Sequence, residues 1–487
     1  MIKPSLEETK KIAKDYTIIP IALEILADQK TPIEILRNIS RQSEECFILE
    51  SVNGSDSWGR YSFLGYKPVI NVYGTKDSVT ITYGVDKTKE KENPILAIRS
   101  LMSSFKSPKI QYLPPFTGGF VGYFTYDFVQ HFIHGLELKA KGEEEFRDFH
   151  LMLIDKIIAF DHFKQKIYII VNISTEDLEN NYIHGVAELK DIERVILGSA
   201  VHSDEKPSIC GEFSSHFSKD AFKKMITQVQ AHIGEGDIFQ AVISNRFKAP
   251  FKGSLMNTYR VLRTINPSPY MVYMRLDDME IACSSPETLV ALRNNEISSF
   301  PLAGTCPRRE EPKEDGILIK ALLQDEKELA EHDMLVDLAR NDVGKVSRFG
   351  SVKVREYRQI KRFSHVSHIS SHITGELREE FDAIDVLGAT LPAGTLSGAP
   401  KKRACEIIDA IEGIRRGIYG GAMGYIDFSG NMDMCIGIRM AVLKDAHVYV
   451  QAGAGIVADS VPEKEYHEVQ NKAQAVMEAL KKSKEVS

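Results

Sequence analysis

A chain of 487 residues that is 43% hydrophobic and 26% charged can bury a large core beneath the surface of an ordinary soluble protein. Its 61 basic residues are outnumbered by 68 acidic ones, and the net charge of −7 excludes the basic field of a nucleic-acid or membrane-surface binder. An anionic substrate is still allowed, because it needs only a few local cations.

Residues 1–8 lack the apolar core of a signal peptide, and apolar runs such as 167–171 are strand-length. The six cysteines show no paired spacing and read as reduced thiols, so the expected compartment is the cytoplasm. To about residue 170 the pattern predicts short strands, at 47–51, 60–65 and 117–124, the last with glycines that invite close backbone approach. From 174 to 216 the chain turns polar: an acidic helical stretch gives way to a loop-like run at 202–207, the best linker candidate. Ser218 then caps a predicted helix that ends at Gly234-Glu235-Gly236-Asp237, and a β-rich segment opens at 238–243. Strands and helices mix thereafter without βαβ alternation, which predicts an α+β fold. The final helix, 462–480, starts with proline and carries Glu465, Glu468 and Lys472 at i, i+3 and i+7.

Two Glu-x-x-Glu pairs, Glu328/Glu331 and Glu465/Glu468, each place two carboxylates on one helix face. If all four converge they need a counter-cation, and hard oxygen ligands with room for substrate and water favour Mg2+; taken singly, such a pair is usually a solvated helix face. Gly304 and Thr305 end a strand in a small-residue turn, where an amide and a hydroxyl can approach a ligand. Residues 393–401 are glycine-spaced, with Pro400 at a first helical position, so their amides can point at an anion; Walker spacing is absent. Gly453, Ala454 and Gly455 close the set in a tight strand. Tyr419 and Arg439 are candidate anion clamps. Arg439 lies in an otherwise apolar run, where it is costly to bury unless it meets a carboxylate, its own protein's or a ligand's. Glu287, after a strand and a proline, is either a poised acid or a surface carboxylate, and His368 is either structural or catalytic.

Six segments occur in one order: Gly236-Asp237-Ile238-Phe239-Gln240, Ser285-Pro286-Glu287, Pro301-Leu302-Ala303-Gly304-Thr305, Asp337-Leu338-Ala339-Arg340-Asn341-Asp342, Gly394-Thr395-Leu396-Ser397-Gly398-Ala399-Pro400-Lys401 and Gln451-Ala452-Gly453-Ala454-Gly455. With them nearly the whole chain resembles the chorismate-utilising enzymes, most closely the anthranilate synthase component I branch. The resemblance implies orthogonally packed antiparallel β-sheets flanked by helices. It implies a mainly β regulatory region at 1–173, a linker at 174–216 and a catalytic domain at 217–487. It also implies a cytoplasmic lyase for the first committed step of tryptophan biosynthesis. In that reaction ammonia adds at C2 of chorismate as the C4 hydroxyl leaves, and pyruvate is then eliminated to give anthranilate.

By resemblance Glu287 protonates the leaving hydroxyl, His368 assists the elimination, and Gly304 and Thr305 line the reacting ring. Glu331 and Glu468 would hold Mg2+, with Glu328 and Glu465 in its water shell. Tyr419, Arg439 and the amides of Gly453, Ala454 and Gly455 would grip the pyruvyl carboxylate, and Lys472 would add positive charge. The family's isochorismate synthases carry lysine where Gln240 stands, and its aminodeoxychorismate synthases carry lysine where Ala303 stands; the residues here favour ammonia as nucleophile and anthranilate as product. No cysteine sits in a glutaminase elbow, so a separate glutamine amidotransferase subunit, component II, is the expected partner. Glu50, Ser51, Pro269, Tyr270 and Met271 resemble the family's site for L-tryptophan as inhibitor. The runner-up readings are an aminodeoxychorismate synthase and a tryptophan-sensing subunit with an inactive pocket.

Overall fold

The computed structural model describes residues 2–486 apart from 52–58, 77, 85, 91–92, 143–145, 199–205, 310 and 363–365. Among the described residues, strands pair antiparallel into two sheets of 14 and 12 strands, with helices packed outside them. This is an α+β architecture.

The strand Cys46–Glu50 shows how the layers are built. Successive side chains on a strand point to opposite faces. Phe47 and Leu49 enter a core shared with Phe120, Phe124 and Val290 of the second sheet. Cys46 and Ile48 enter a separate core with helix residues such as Ile35, Leu189 and Val476. Because both faces are covered, this strand is apolar and buried nearly throughout.

The sheets run across the expected boundary at residue 173. Cys46–Glu50 pairs with Tyr270–Arg275 in the first sheet, and Gly119–Phe124 pairs with Ala422–Asp427 in the second. Nor is 174–216 a plain linker. Leu178–Leu197 is a helix whose Gly185, Leu189, Ile192 and Ile196 are buried, and it packs on the strand Lys166–Ser174. Its apolar stripe is narrow, and the acidic outer face dominates the local composition. Most of the loop-like run, 202–205, lies outside the described residues.

Two helices carry the glutamate pairs, one against each sheet. Glu326–Val346 is capped by Asp325, whose Oδ1 accepts from the amides of Lys327 (3.0 Å) and Glu328 (3.2 Å). It packs on Leu302–Pro307 and Val366–Glu376 of the second sheet. Pro462–Lys482 has proline in its first turn and packs on His447–Ile456 of the first sheet through Val469, Ala473, Val476 and Leu480. The apolar stripe fixes each helix's rotation and sends its glutamates toward the gap between the two.

Candidate active site

In that gap lies a cavity of about 570 Å³, a size suited to a small-molecule ligand. Glu287, Gly304, Thr305, His368, Tyr419, Arg439, Gly453, Gly455, Lys472 and all four glutamates line it. Ala454 does not. Its methyl joins the core on the opposite face of the strand, as alternation requires of a residue between Gly453 and Gly455.

One end of the cavity is built for an anion. A Cβ on Gly453 would come within 2.7 Å of both the Tyr419 hydroxyl and the Ile243 carbonyl, so only glycine lets the phenol lie over the backbone there. Arg439 stands at the bend between Met432–Ile436 and Met440–Lys444, with φ +52, rather than inside a strand as the apolar run suggests. It makes no ion pair among the described residues, and burial pulls its guanidinium below its ordinary value. Glu468 attracts this half-buried cation without forming an ion pair, so a bound carboxylate can recover part of the cost of desolvating it. Lys472 reaches the same wall, 2.6 Å from Glu468 Oε1 and donating to the Gly453 carbonyl (3.1 Å).

Behind this wall is a pair that the motif reading missed. Glu412 and Arg416, i and i+4, are fully buried and form a two-point salt bridge (2.6 and 2.9 Å). Arg416 also donates to the carbonyls of Leu396 (2.6 Å) and Val242 (2.5 Å), while Glu412 accepts from the Ser244 amide (2.7 Å) and hydroxyl (3.0 Å). Ser244 is the register partner of Gly453. The pair therefore ties the anion end to the turn Gly394–Leu396. Glu followed by Arg at a spacing of four was the available signal, though Glu406, Asp409 and Arg415 nearby make it a weak one.

Glu287 follows the strand Met279–Ser285 and faces the cavity half-buried. Burial pushes its carboxyl up to about 7, against the pull of the Thr395 hydroxyl and the Lys472 charge. Thr395 Oγ1 donates to Glu287 Oε1 at 3.0 Å. So the turn that was expected to aim amides at an anion instead aims a hydroxyl at the acid.

His368 is placed by a bulge. The register slips between Ala303 and Thr305, Gly304 takes φ +65, and both the Gly304 carbonyl and Thr305 Oγ1 lie 3.0 Å from His368 Nδ1. A carbonyl can only accept, so Nδ1 carries the hydrogen and the neutral ring keeps its lone pair on Nε2. Burial, helped by Arg439, holds the imidazole below its usual value and hence neutral.

Glu328, Glu331 and Glu465 are each pushed above the usual carboxylate range, first by burial and then by neighbouring acids that include Glu468. Lys327 and Lys472 offset this only in part. Crowded hard-oxygen donors short of positive charge fit a divalent cation. No three of the four bring ligand atoms within 4.8 Å of one another. A cation held there would have to complete its sphere with water and substrate oxygens, as Mg2+ commonly does. Tighter sets occur elsewhere, at His150/Asp277/Asp278 and His232/Glu235/Asp237, where Arg147 already pairs with Asp277 and Arg403 with Asp237.

The segments compared with a tryptophan site also meet. Met271 is the register partner of Glu50, and the Ser51 hydroxyl is buried without a hydrogen-bond partner. Glu50 is already engaged, by Arg263 Nε and by the Ser62 hydroxyl (3.2 Å), so a ligand ammonium would have to share it. Half-buried Pro269 precedes the strand, and the Tyr270 hydroxyl turns to the second sheet, bonding Thr288 Oγ1 (3.0 Å) and Asp433 Oδ1 (2.8 Å). All six cysteines are free, and no helix of the described residues is long and apolar enough to cross a membrane.

Residues 44–478 match the family of chorismate binding enzymes, and the chain belongs to that family. Within it, the chain is 45% identical over its full length to anthranilate synthase component 1 of Acetivibrio thermocellus, covering all of that protein. It is 43% identical to the protein of the same name from Aquifex aeolicus, over 99% of this chain and 98% of the other. The crystal structure of anthranilate synthase component I from Streptococcus pneumoniae superposes with a TM-score of 0.75 at 33% identity, over 93% of this chain and 98% of that one. The menaquinone-specific isochorismate synthase of Escherichia coli, at 18% identity, shares the fold with a TM-score of 0.72 over 98% of each chain.

Proposed function

We propose that this chain is the large subunit of a Mg2+-dependent anthranilate synthase, converting chorismate and ammonia to anthranilate and pyruvate. One observation carries the reading: a single cavity sets an acid that keeps its proton near neutrality against a half-buried arginine that forms no ion pair among the described residues. Chorismate asks for both, having a hydroxyl that leaves only when protonated and a carboxylate that must be held away from the reacting carbons.

Arg439, the Tyr419 hydroxyl and the backbone at Gly453 and Gly455 hold the pyruvyl carboxylate. Glu287 gives its proton to the departing C4 hydroxyl, and His368, neutral with its lone pair on Nε2, takes the C2 proton during elimination. Glu331 and Glu468, with Glu328 and Glu465 around them, hold Mg2+, which when bound draws negative charge from the ring carboxylate. Gln240 lines the same cavity, and its buried carboxamide oxygen accepts no hydrogen bond. It can accept from an N–H of ammonia, whereas it cannot deprotonate water. Ala303 offers no nucleophile to the ring, which favours release of an aromatic product. A glutamine amidotransferase subunit supplies the ammonia, and L-tryptophan binds at Glu50, Ser51, Pro269, Tyr270 and Met271 as inhibitor.

The test is to mix the purified chain with chorismate, Mg2+ and ammonium and follow anthranilate fluorescence and pyruvate. Both are expected to rise together with ammonium, and neither with glutamine alone. A non-aromatic amino product, or no turnover of chorismate, would refute the assignment.

A further inference from the structure

Glu287 has two carboxyl oxygens, and only one can deliver the proton in a given geometry. Oε1 lies 3.0 Å from the Thr395 hydroxyl. That hydroxyl is rigidly placed. In its turn Leu396 N and Ser397 Oγ bond the Ala393 carbonyl (3.0 and 2.8 Å), and buried Arg416 holds the Leu396 carbonyl (2.6 Å). On the other side, a Cβ on Gly394 would lie 3.0 Å from Leu338, so the turn has no room to retreat. Thr395 also stands between two cavities: the main one, and a small one of about 40 Å³ lined in part by Glu287, Thr395, Thr390 and Asp342.

We propose that Thr395 is a positioning residue for the acid: its hydroxyl donates to Oε1 of Glu287, which fixes Oε2 as the oxygen that delivers the proton. The proposal rests on the reading of function above. Oε2–H breaks as its hydrogen bonds to the C4 hydroxyl oxygen, and the electron pair of the C4–O bond leaves with the departing water. The ammonia lone pair forms the C2–N bond as the ring double bonds shift from C1=C2 and C5=C6 to C1=C6 and C4=C5. The new ammonium loses a proton to solvent, and Glu287 is left as a carboxylate whose Oε1 is still held by Thr395. The same bond therefore supports the product state of the transfer. Among charged groups, Lys472 acts on Glu287 from the helix Pro462–Lys482, while Arg439, His368 and Glu331 share the main cavity. Asp342 shares the rear one, held by Lys401 (2.8 Å) and Lys345 (3.0 Å). Of these groups only the Thr395 hydroxyl hydrogen-bonds the carboxyl.

Thr395→Val keeps the shape and removes the donor, and Thr395→Ser keeps the donor. In the ammonia reaction, T395V is expected to lower kcat about tenfold, part of the roughly 10²–10⁴ that a general acid contributes. KM for chorismate should stay within about twofold, since the hydroxyl that is removed is engaged by Glu287 and valine keeps the shape of the wall. The alkaline limb of kcat should move up by about one pH unit, because the ionised acid loses a hydrogen bond; T395S should restore both. If T395V does not fold, T395A carries the same expectations. The Glu287 carboxyl, titrated by carbon-13 NMR with Glu287→Gln to identify its resonance, should titrate higher in the donor-less variant whether or not the enzyme turns over. Wild-type kcat and limb in T395V, T395S as impaired as T395V, or an unmoved carboxyl titration would each overturn the proposal. Failure of the wild type to make anthranilate would instead overturn the function while leaving the titration result standing.

Discussion

Glu287 carries opposing influences that can be separated. Burial favours its neutral form, while Thr395 and Lys472 favour the charged one, and burial wins, bringing the carboxyl to about 7. A general acid works protonated, so turnover should fall as pH rises through about 7, and Glu287→Gln should lose roughly 10²–10⁴ in kcat with chorismate binding retained. The sign for stability follows from the same shift. The native state holds this proton more tightly than the unfolded chain, so the group destabilises progressively as pH climbs from the ordinary carboxylate range to about 7. Glu287→Gln should therefore stabilise the fold at pH 8, by up to about 3 kcal/mol, and change little at pH 4. Denaturant melts at the two pH values check this; equal effects at both would contradict the buried acid.

At the scale of elements, the site is two helices and a few strand ends converging from sequence-distant places. The Glu-x-x-Glu pairs were legible because a helix repeats every 3.6 residues, so spacing alone puts both carboxylates on one face. That the two faces meet was not legible, since each helix is turned by its own apolar stripe against a different sheet. The apolar run around Arg439 reads as strand because such a run does not mark where pairing stops; the residue sits at a bend with φ +52. Ala454 was grouped with its glycine neighbours although strand alternation already assigns it to the other face. Thr395 could not be found in this way, because its partner lies 108 residues away and nothing in a local pattern records that contact.

The glutamate arrangement makes its own prediction. Glu331→Ala and Glu468→Ala should each raise the Mg2+ concentration needed for half-maximal activity by about 10–100-fold, and each should weaken Mg2+ protection against thermal unfolding. Removing one acid also relieves its neighbour, so in metal-free protein Glu331 should titrate lower in Glu328→Ala. Unchanged Mg2+ dependence in both variants would remove these side chains from the metal site.

At the scale of the molecule, the segment compared with a tryptophan site is physically joined to the acid. Met271 pairs with Glu50, and the neighbouring Tyr270 hydroxyl bonds Thr288, the residue after Glu287. An inhibitor lodged there should compete energetically with chorismate through a coupling of about 1–3 kcal/mol. Ser51→Phe should replace the buried Ser51 hydroxyl with a ring and abolish tryptophan inhibition while leaving kcat within about twofold. Superimposable inhibition curves for wild type and variant would count against the site.

The strand pairing of both sheets has a consequence during synthesis. Cys46–Glu50 waits for Tyr270–Arg275, and Gly119–Phe124 waits for Ala422–Asp427. A nascent chain therefore leaves the ribosome with apolar strand edges that nothing yet emerged can cover, and such edges invite pairing with other chains. Slow, late closure is the kinetic cost of so many non-local pairings. For the same reason, a truncated product ending near residue 260 would be sticky and short-lived rather than a free-standing sensor.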